Sequence, residues 1–176
     1  ATNSQNRGIE FALLLTLPAT AALLVIATPI VTVLFERGAF GPAETRATAY
    51  ALMAYATGLP AYVLIRVLTP GFFAREDTST PVRIAAAGMV VNIVLNLFLM
   101  RVWGHVGIAL ASSVAAWVNA ATLAIVLKRR GQLAIDDRLA QRGPKIVLAS
   151  AGMAAGLFAG ERLVALACAG PCAAHI

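Results

Sequence analysis

The chain has 176 residues, of which 60% are hydrophobic and only 12% charged, with a formal net charge of +6 and a mean hydropathy of +0.81. A water-soluble domain carries about 25% charged residues, so this composition excludes an ordinary soluble enzyme or a solvated binding module. Crossing the hydrocarbon core takes about 20 mostly apolar residues. Five segments meet that requirement: 9–34, 47–73, 82–100, 106–127 and 146–168. All exceed ordinary strand length and none alternates, and in lipid each backbone must satisfy its own hydrogen bonds, so all five are expected to be helices. The expected fold class is all-α, a polytopic transmembrane helical bundle. Residues 1–130 hold four spans; residues 131–176 hold an amphipathic loop and a fifth.

In chain order, ATNSQNRGIE lacks the basic lead and short apolar core of a signal peptide. It reads as a cut within a loop of a longer protein. Span one carries Pro18 and Pro29, and span two carries Pro60 and Pro70. Each proline removes a helical hydrogen bond and kinks its helix, which makes Pro18 and Pro60 hinge candidates, a packed static kink being the alternative. Between these spans LFERGAFGPAETRA turns at Gly38, Gly41 and Pro42, and Pro42 with Glu44 predicts a helix start. The polar elbow Arg75–Pro81 follows span two and offers Asp77 or Thr78 as the N-cap of span three. Spans three and four are joined by RVWGHVG, about five residues, and are therefore expected to form a tight antiparallel hairpin rich in small residues. Trp103 suits an interfacial belt, whereas Trp117, mid-span, suits packing or a cavity wall. The loop LKRRGQLAIDDRLAQRGPK is amphipathic through Leu133, Ile135 and Leu139. Span five carries Gly152, Gly156 and Gly160 at every fourth position, a packing stripe or a lipid groove. Cys168 and Cys172 flank Pro171 and read as small apolar residues or as a pair in an oxidising compartment.

Nine basic residues (Arg7, Arg75, Arg83, Lys128, Arg129, Arg130, Arg138, Arg142 and Lys145) fall in the N-terminal segment and the second and fourth loops. Four (Arg37, Arg46, Arg101 and Arg162) fall on the other side. That asymmetry places the N-terminus in the cytoplasm. It also accounts for the net charge through phospholipid headgroups rather than nucleic acid.

Arg66 lies about nine residues, or roughly 13 Å, from the elbow inside span two. A charge at that depth marks either a polar cavity for an anionic ligand such as a phosphate or a side chain snorkelling to the interface. Asn92 and Asn96 share one face of span three, with Ser112 and Ser113 at a plausible depth across the hairpin. These oxygens suit interhelical hydrogen bonds or a monovalent cation. No paired carboxylates lie within a span (the adjacent Asp136–Asp137 reads as a solvated loop pair), no Ser/His/Asp set or phosphate-binding glycine loop is suggested, and His105 and His175 lack neighbours at metal-ligand spacing, so neither an enzyme nor a metal site is expected.

Through Leu34–Phe40 (LFERGAF), Gly58–Ala85 (GLPAYVLIRVLTPGFFAREDTSTPVRIA) and Asn92–Ala120, the chain resembles the MurJ (MviN) family of lipid II flippases in the MOP exporter superfamily. The resemblance implies five of fourteen spans in a two-lobed transporter around a cationic cavity, this piece matching spans nine to thirteen. It implies alternating-access transfer of the undecaprenyl-pyrophosphate-linked peptidoglycan precursor across the bacterial inner membrane, with lipid II, phospholipids and the remaining lobe as partners. Arg66 matches a position commonly basic in the family. Asn92, Asn96 and Ser112 match positions where some relatives resemble sodium binders, with an acid in place of Asn96; its loss here removes the main attraction for the cation. Another superfamily exporter and a membrane scaffold for cell-wall enzymes are the alternatives.

Overall fold

A computed structural model of the chain describes the backbone of residues 2–38, 40–131 and 137–169, with side chains for 5–38, 40–131 and 143–163. All regular elements among the described residues are helical: α1 (Thr2–Phe35), α2 (Pro42–Ala56), α3 (Leu59–Phe73), α4 (Ser79–Arg129) and α5 (Asp137–Ala169). α1 begins several residues before the apolar run and continues through Pro18 and Pro29. The Thr16 hydroxyl donates back to the Ala12 carbonyl at 2.7 Å.

The expected second span is interrupted. It starts at Pro42, where the Glu44 carboxylate accepts the Gly41 N–H at 3.1 Å as the sequence predicts. It then divides at Thr57–Gly58 into α2 and α3. The expected loop between spans three and four shrinks to one residue. α4 is a run of 51 residues, about 77 Å if straight, against a hydrocarbon core of about 30 Å. Gly104 (φ 57°, ψ −131°) is its one non-helical residue, in a backbone region closed to side chains, and there the run folds back on itself. A Cβ on Gly107 would meet the Leu99 carbonyl, and one on Gly88 would sit 3.4 Å from Asn119 Cβ. The two arms are therefore antiparallel and in register along their length.

α1 occupies the centre, with α5 packed against it, α2 and α3 also against it, and α4 covering α2 and α3. The elbow end holds the large core side chains Ile9, Leu68, Phe72, Leu123 and Leu127. Elsewhere the core is built of small residues, with Ala61 against Ala116 and Ala120, and Ala27 and Val31 against Ala49. Close backbone approach through small residues is how helices associate in lipid, where apolar burial supplies no driving force. The outside is correspondingly apolar: Leu15, Leu97, Phe98 and Leu148 are each more than 60% exposed.

Candidate functional site

The interruption in the second span creates a problem that side chains solve. Pro60 has no N–H to offer the Ala56 carbonyl, and the Gly58 N–H turns to Tyr55 at 2.9 Å, leaving the Ala54 carbonyl free. Unpaired carbonyls inside a membrane cost several kcal/mol each, on the order of 2–7. Donors from two other spans meet them. Ser113 Oγ, buried, donates to Ala54 O at 2.7 Å, and Thr57 Oγ1 donates to the same oxygen at 2.7 Å. Thr20 Oγ1 on α1 reaches Ala56 O at 3.2 Å, and Trp117 Nε1 on α4 reaches Thr57 O at 3.0 Å. Gly58 is required by proximity, since a Cβ there would lie 2.7 Å from Ser113 Oγ and 3.0 Å from Ser113 Cα.

Pro60 is buried at the start of α3, beside this break. Pro18 lies within α1, two residues before Thr20. The two sequence-predicted hinge candidates thus flank one polar junction. Thr20 and Thr57 escaped the sequence reading; Ser113 was read as a hydroxyl suited to interhelical bonding, but not as a donor to this break. The available signal was hydroxyl residues recurring at mid-span depth, but nothing in periodicity pairs them.

Arg66 lies on the outer face of α3 with Tyr62 and Pro70, opposite the buried Ala61, Leu68 and Phe72. It has no hydrogen-bond or ion-pair partner among the described residues. Tyr62, one turn earlier, donates its hydroxyl to Ser112 O at 3.3 Å, tying this face to the second arm of α4.

Asn96 Nδ2 donates to Asn92 Oδ1 at 3.0 Å, while Asn96 Oδ1 is buried with no hydrogen-bond partner among the described residues. Ser112 Oγ donates to Ile108 O at 3.1 Å within its own helix. The structure joins the two asparagines to each other and shows no bond from either to Ser112. Among the described residues no cluster of His, Cys, Asp or Glu has metal-binding geometry.

At the elbow, Glu76 occupies the left-handed region (φ 59°). The Asp77 and Glu76 N–H groups bond Phe72 O and Phe73 O at 3.2 and 3.0 Å, closing α3 with a Schellman turn. Asp77 then caps α4, accepting the Thr80 N–H at 3.0 Å and the Thr80 hydroxyl at 2.7 Å. Arg130, at the far end of α4, donates to Asp77 and to Thr80 Oγ1 and lies 5.8 Å over the Phe72 ring. The Arg130 guanidinium, then the Thr80 hydroxyl and N–H, hold the Asp77 carboxyl well below the usual carboxylate range. One arginine thus fastens the ends of three helical segments. The expected amphipathic loop Leu127–Lys145 is largely helical where it is described: residues 127–129 complete α4, and residues 137–145 open α5, which starts nine residues before the expected fifth span. Residues 132–136, the Leu139 and Cys168 side chains, and Cys172 lie outside the described residues.

Among the described residues four helical stretches are long and apolar enough to cross a membrane, one of them folded back at Gly104 and another broken and re-satisfied by side chains, which defines a polytopic helical membrane protein. A family model described as "Lipid II flippase MurJ" matches residues 1–167. The chain belongs to that family. It is 51% identical over 158 residues to the probable lipid II flippase MurJ of Rhizobium meliloti, covering 90% of this chain and 30% of that protein. It is 39% identical over 151 residues to the probable lipid II flippase MurJ of Vibrio cholerae, covering 86% of the chain and 29% of the relative. A solved structure of lipid II flippase MurJ in an inward closed conformation superposes with a TM-score of 0.75 at 30% identity, covering 87% of this chain and 32% of that one. The chain therefore spans about 30% of the length of the curated relatives it matches.

Proposed function

We propose that this chain is one lobe of a lipid II flippase, moving the undecaprenyl-pyrophosphate-linked peptidoglycan precursor from the inner to the outer leaflet of the bacterial inner membrane. The observation that carries the reading is the family match along residues 1–167. The geometry supports an alternating-access reading. Alternating access needs a span that bends without stranding its carbonyls. The Thr57–Gly58 break is such a span, its oxygens held by Thr20, Ser113 and Trp117. Arg66, exposed on the outer face of α3 and without a hydrogen-bond or ion-pair partner among the described residues, supplies a guanidinium to the pyrophosphate when the remaining lobe closes the cavity around it. The N-terminus and the Arg130–Asp77 fastening face the cytoplasm, following the distribution of basic residues. The protein transports and performs no covalent chemistry. Asn92 and Asn96 serve chiefly to bond one another. A sodium ion there would find amide oxygens without a carboxylate, which leaves the site weak.

The test is complementation. The full-length parent protein, expressed in cells depleted of their own lipid II flippase, restores growth. Failure at matched membrane abundance would move the function to another lipid-linked substrate of the superfamily or to a scaffold.

A further inference from the structure

A second feature lies away from the break, at the other side of α1. α1 and α5 run parallel here, because residues 7, 10, 11 and 14 of α1 face residues 145, 146 and 149 of α5 across an open groove of about 440 Å³. That volume falls in the range of about 300–1,000 Å³ usual for small-ligand sites. The lining is ordered along the helix axes. Arg7, Glu10 and Lys145 stand at the mouth, and Phe11, Leu14, Ile146 and Ala149 follow further in. At 1.5 Å per residue the apolar floor extends roughly 6–10 Å past the two cations.

Arg7 and Lys145 are both exposed, and neither has a hydrogen-bond or ion-pair partner among the described residues. Lys145 stands at the start of the apolar stretch Gly143–Leu163, the end of a span where basic side chains meet lipid headgroups. The same helical face of α5 continues as Gly152, Gly156 and Gly160, where an added Cβ would meet nothing within 4 Å. The groove therefore stays open above its floor.

We infer that this groove holds one anionic glycerophospholipid, its phosphodiester bridged by Arg7 and Lys145 and the upper part of an acyl chain laid against Phe11, Leu14 and Ile146. Charge complementarity and order of polarity carry the assignment. The two cations outnumber the one carboxylate of Glu10, so the mouth is net positive, and the polarity falls from charged to apolar in the sequence that a phospholipid presents from headgroup to tail. The guanidinium gives two parallel hydrogen bonds to a phosphate, and the ammonium gives a point charge. An anionic lipid gains about fivefold in affinity for each such cation near the membrane surface. The site is separate from Arg66 and from the α2–α3 break, so it does not depend on the transported substrate.

The experiment titrates the purified full-length parent protein in detergent with dioleoylphosphatidylglycerol, dioleoylphosphatidylcholine or inorganic phosphate, counting bound lipid by native mass spectrometry. The first phosphatidylglycerol is expected to bind at least fivefold more tightly than phosphatidylcholine, with phosphate alone failing to displace it. Arg7→Gln with Lys145→Gln should bring phosphatidylglycerol to the phosphatidylcholine level. Leu14→Trp, which fills the floor and leaves both charges, should weaken both lipids. A preference that survives the double Gln variant would overturn the inference. So would complete displacement by phosphate, which marks a free-anion site, or equal binding of the two lipids by the parent, which means another part of the protein covers the groove.

Discussion

Gly58→Ala tests whether the break in the second span is a close-packed junction. The new Cβ would lie 2.7 Å from Ser113 Oγ and 3.0 Å from Ser113 Cα. The first contact is with a side chain tied to Ala54 O at 2.7 Å, so relieving it by rotation gives up that bond. The second is with backbone and requires the hairpin to move. Overpacking of this kind costs about 1–3 kcal/mol, and losing the Ser113 donor adds about 1 kcal/mol, softened because Thr57 Oγ1 still serves Ala54 O. Ser113→Ala alone should therefore cost only about 1 kcal/mol. The double variant should recover part of the Gly58→Ala loss and not all of it, because the contact with Ser113 Cα remains. The assay is the melting temperature of the purified parent protein in detergent, taken as a double-mutant cycle. A Gly58→Ala variant as stable as the parent, or losses that simply add, would refute the packing argument.

Trp117→Phe keeps an aromatic ring, smaller than indole, and removes the donor to Thr57 O; a loss of at least about 1 kcal/mol is expected in the same melting assay. Glu76→Gly should stabilise by up to about 1 kcal/mol, because a side chain in the left-handed region costs about 1–2 kcal/mol and glycine's greater unfolded freedom returns part of that. Asp77 has a native carboxyl pKa depressed by Arg130 and Thr80. Its stabilising contribution is therefore complete above the unfolded value of about 4 and decays as pH falls towards the native one. Melting temperature followed from pH 7 into acid should fall less steeply for Asp77→Asn than for the parent.

The spans, their order and the helix start at Pro42 were legible because twenty-residue apolar runs and proline-led caps are local signals. The hairpin was legible as a topology, but its turn was overdrawn. A stretch as mixed as RVWGHVG looks like a loop, whereas one glycine at φ 57° suffices to reverse the chain. The break at Thr57–Gly58 was half visible through Pro60. Its donors were not, since Thr20 and Trp117 lie 36 and 60 residues from the carbonyls they satisfy. Arg130 counted in the sequence only as one positive charge among many. Its bonds to Asp77 and Thr80, about fifty residues away, exist only once α4 has folded back.

The most direct measurement is the fraction of lipid II exposed on the outer leaflet in cells whose only flippase is the full-length parent, compared with Arg66→Ala at equal abundance. The account predicts outer-leaflet lipid II with the parent and a marked loss with the variant. No outer-leaflet lipid II with a well-expressed parent would contradict the flippase reading. Full exposure with Arg66→Ala would contradict the role given to that arginine.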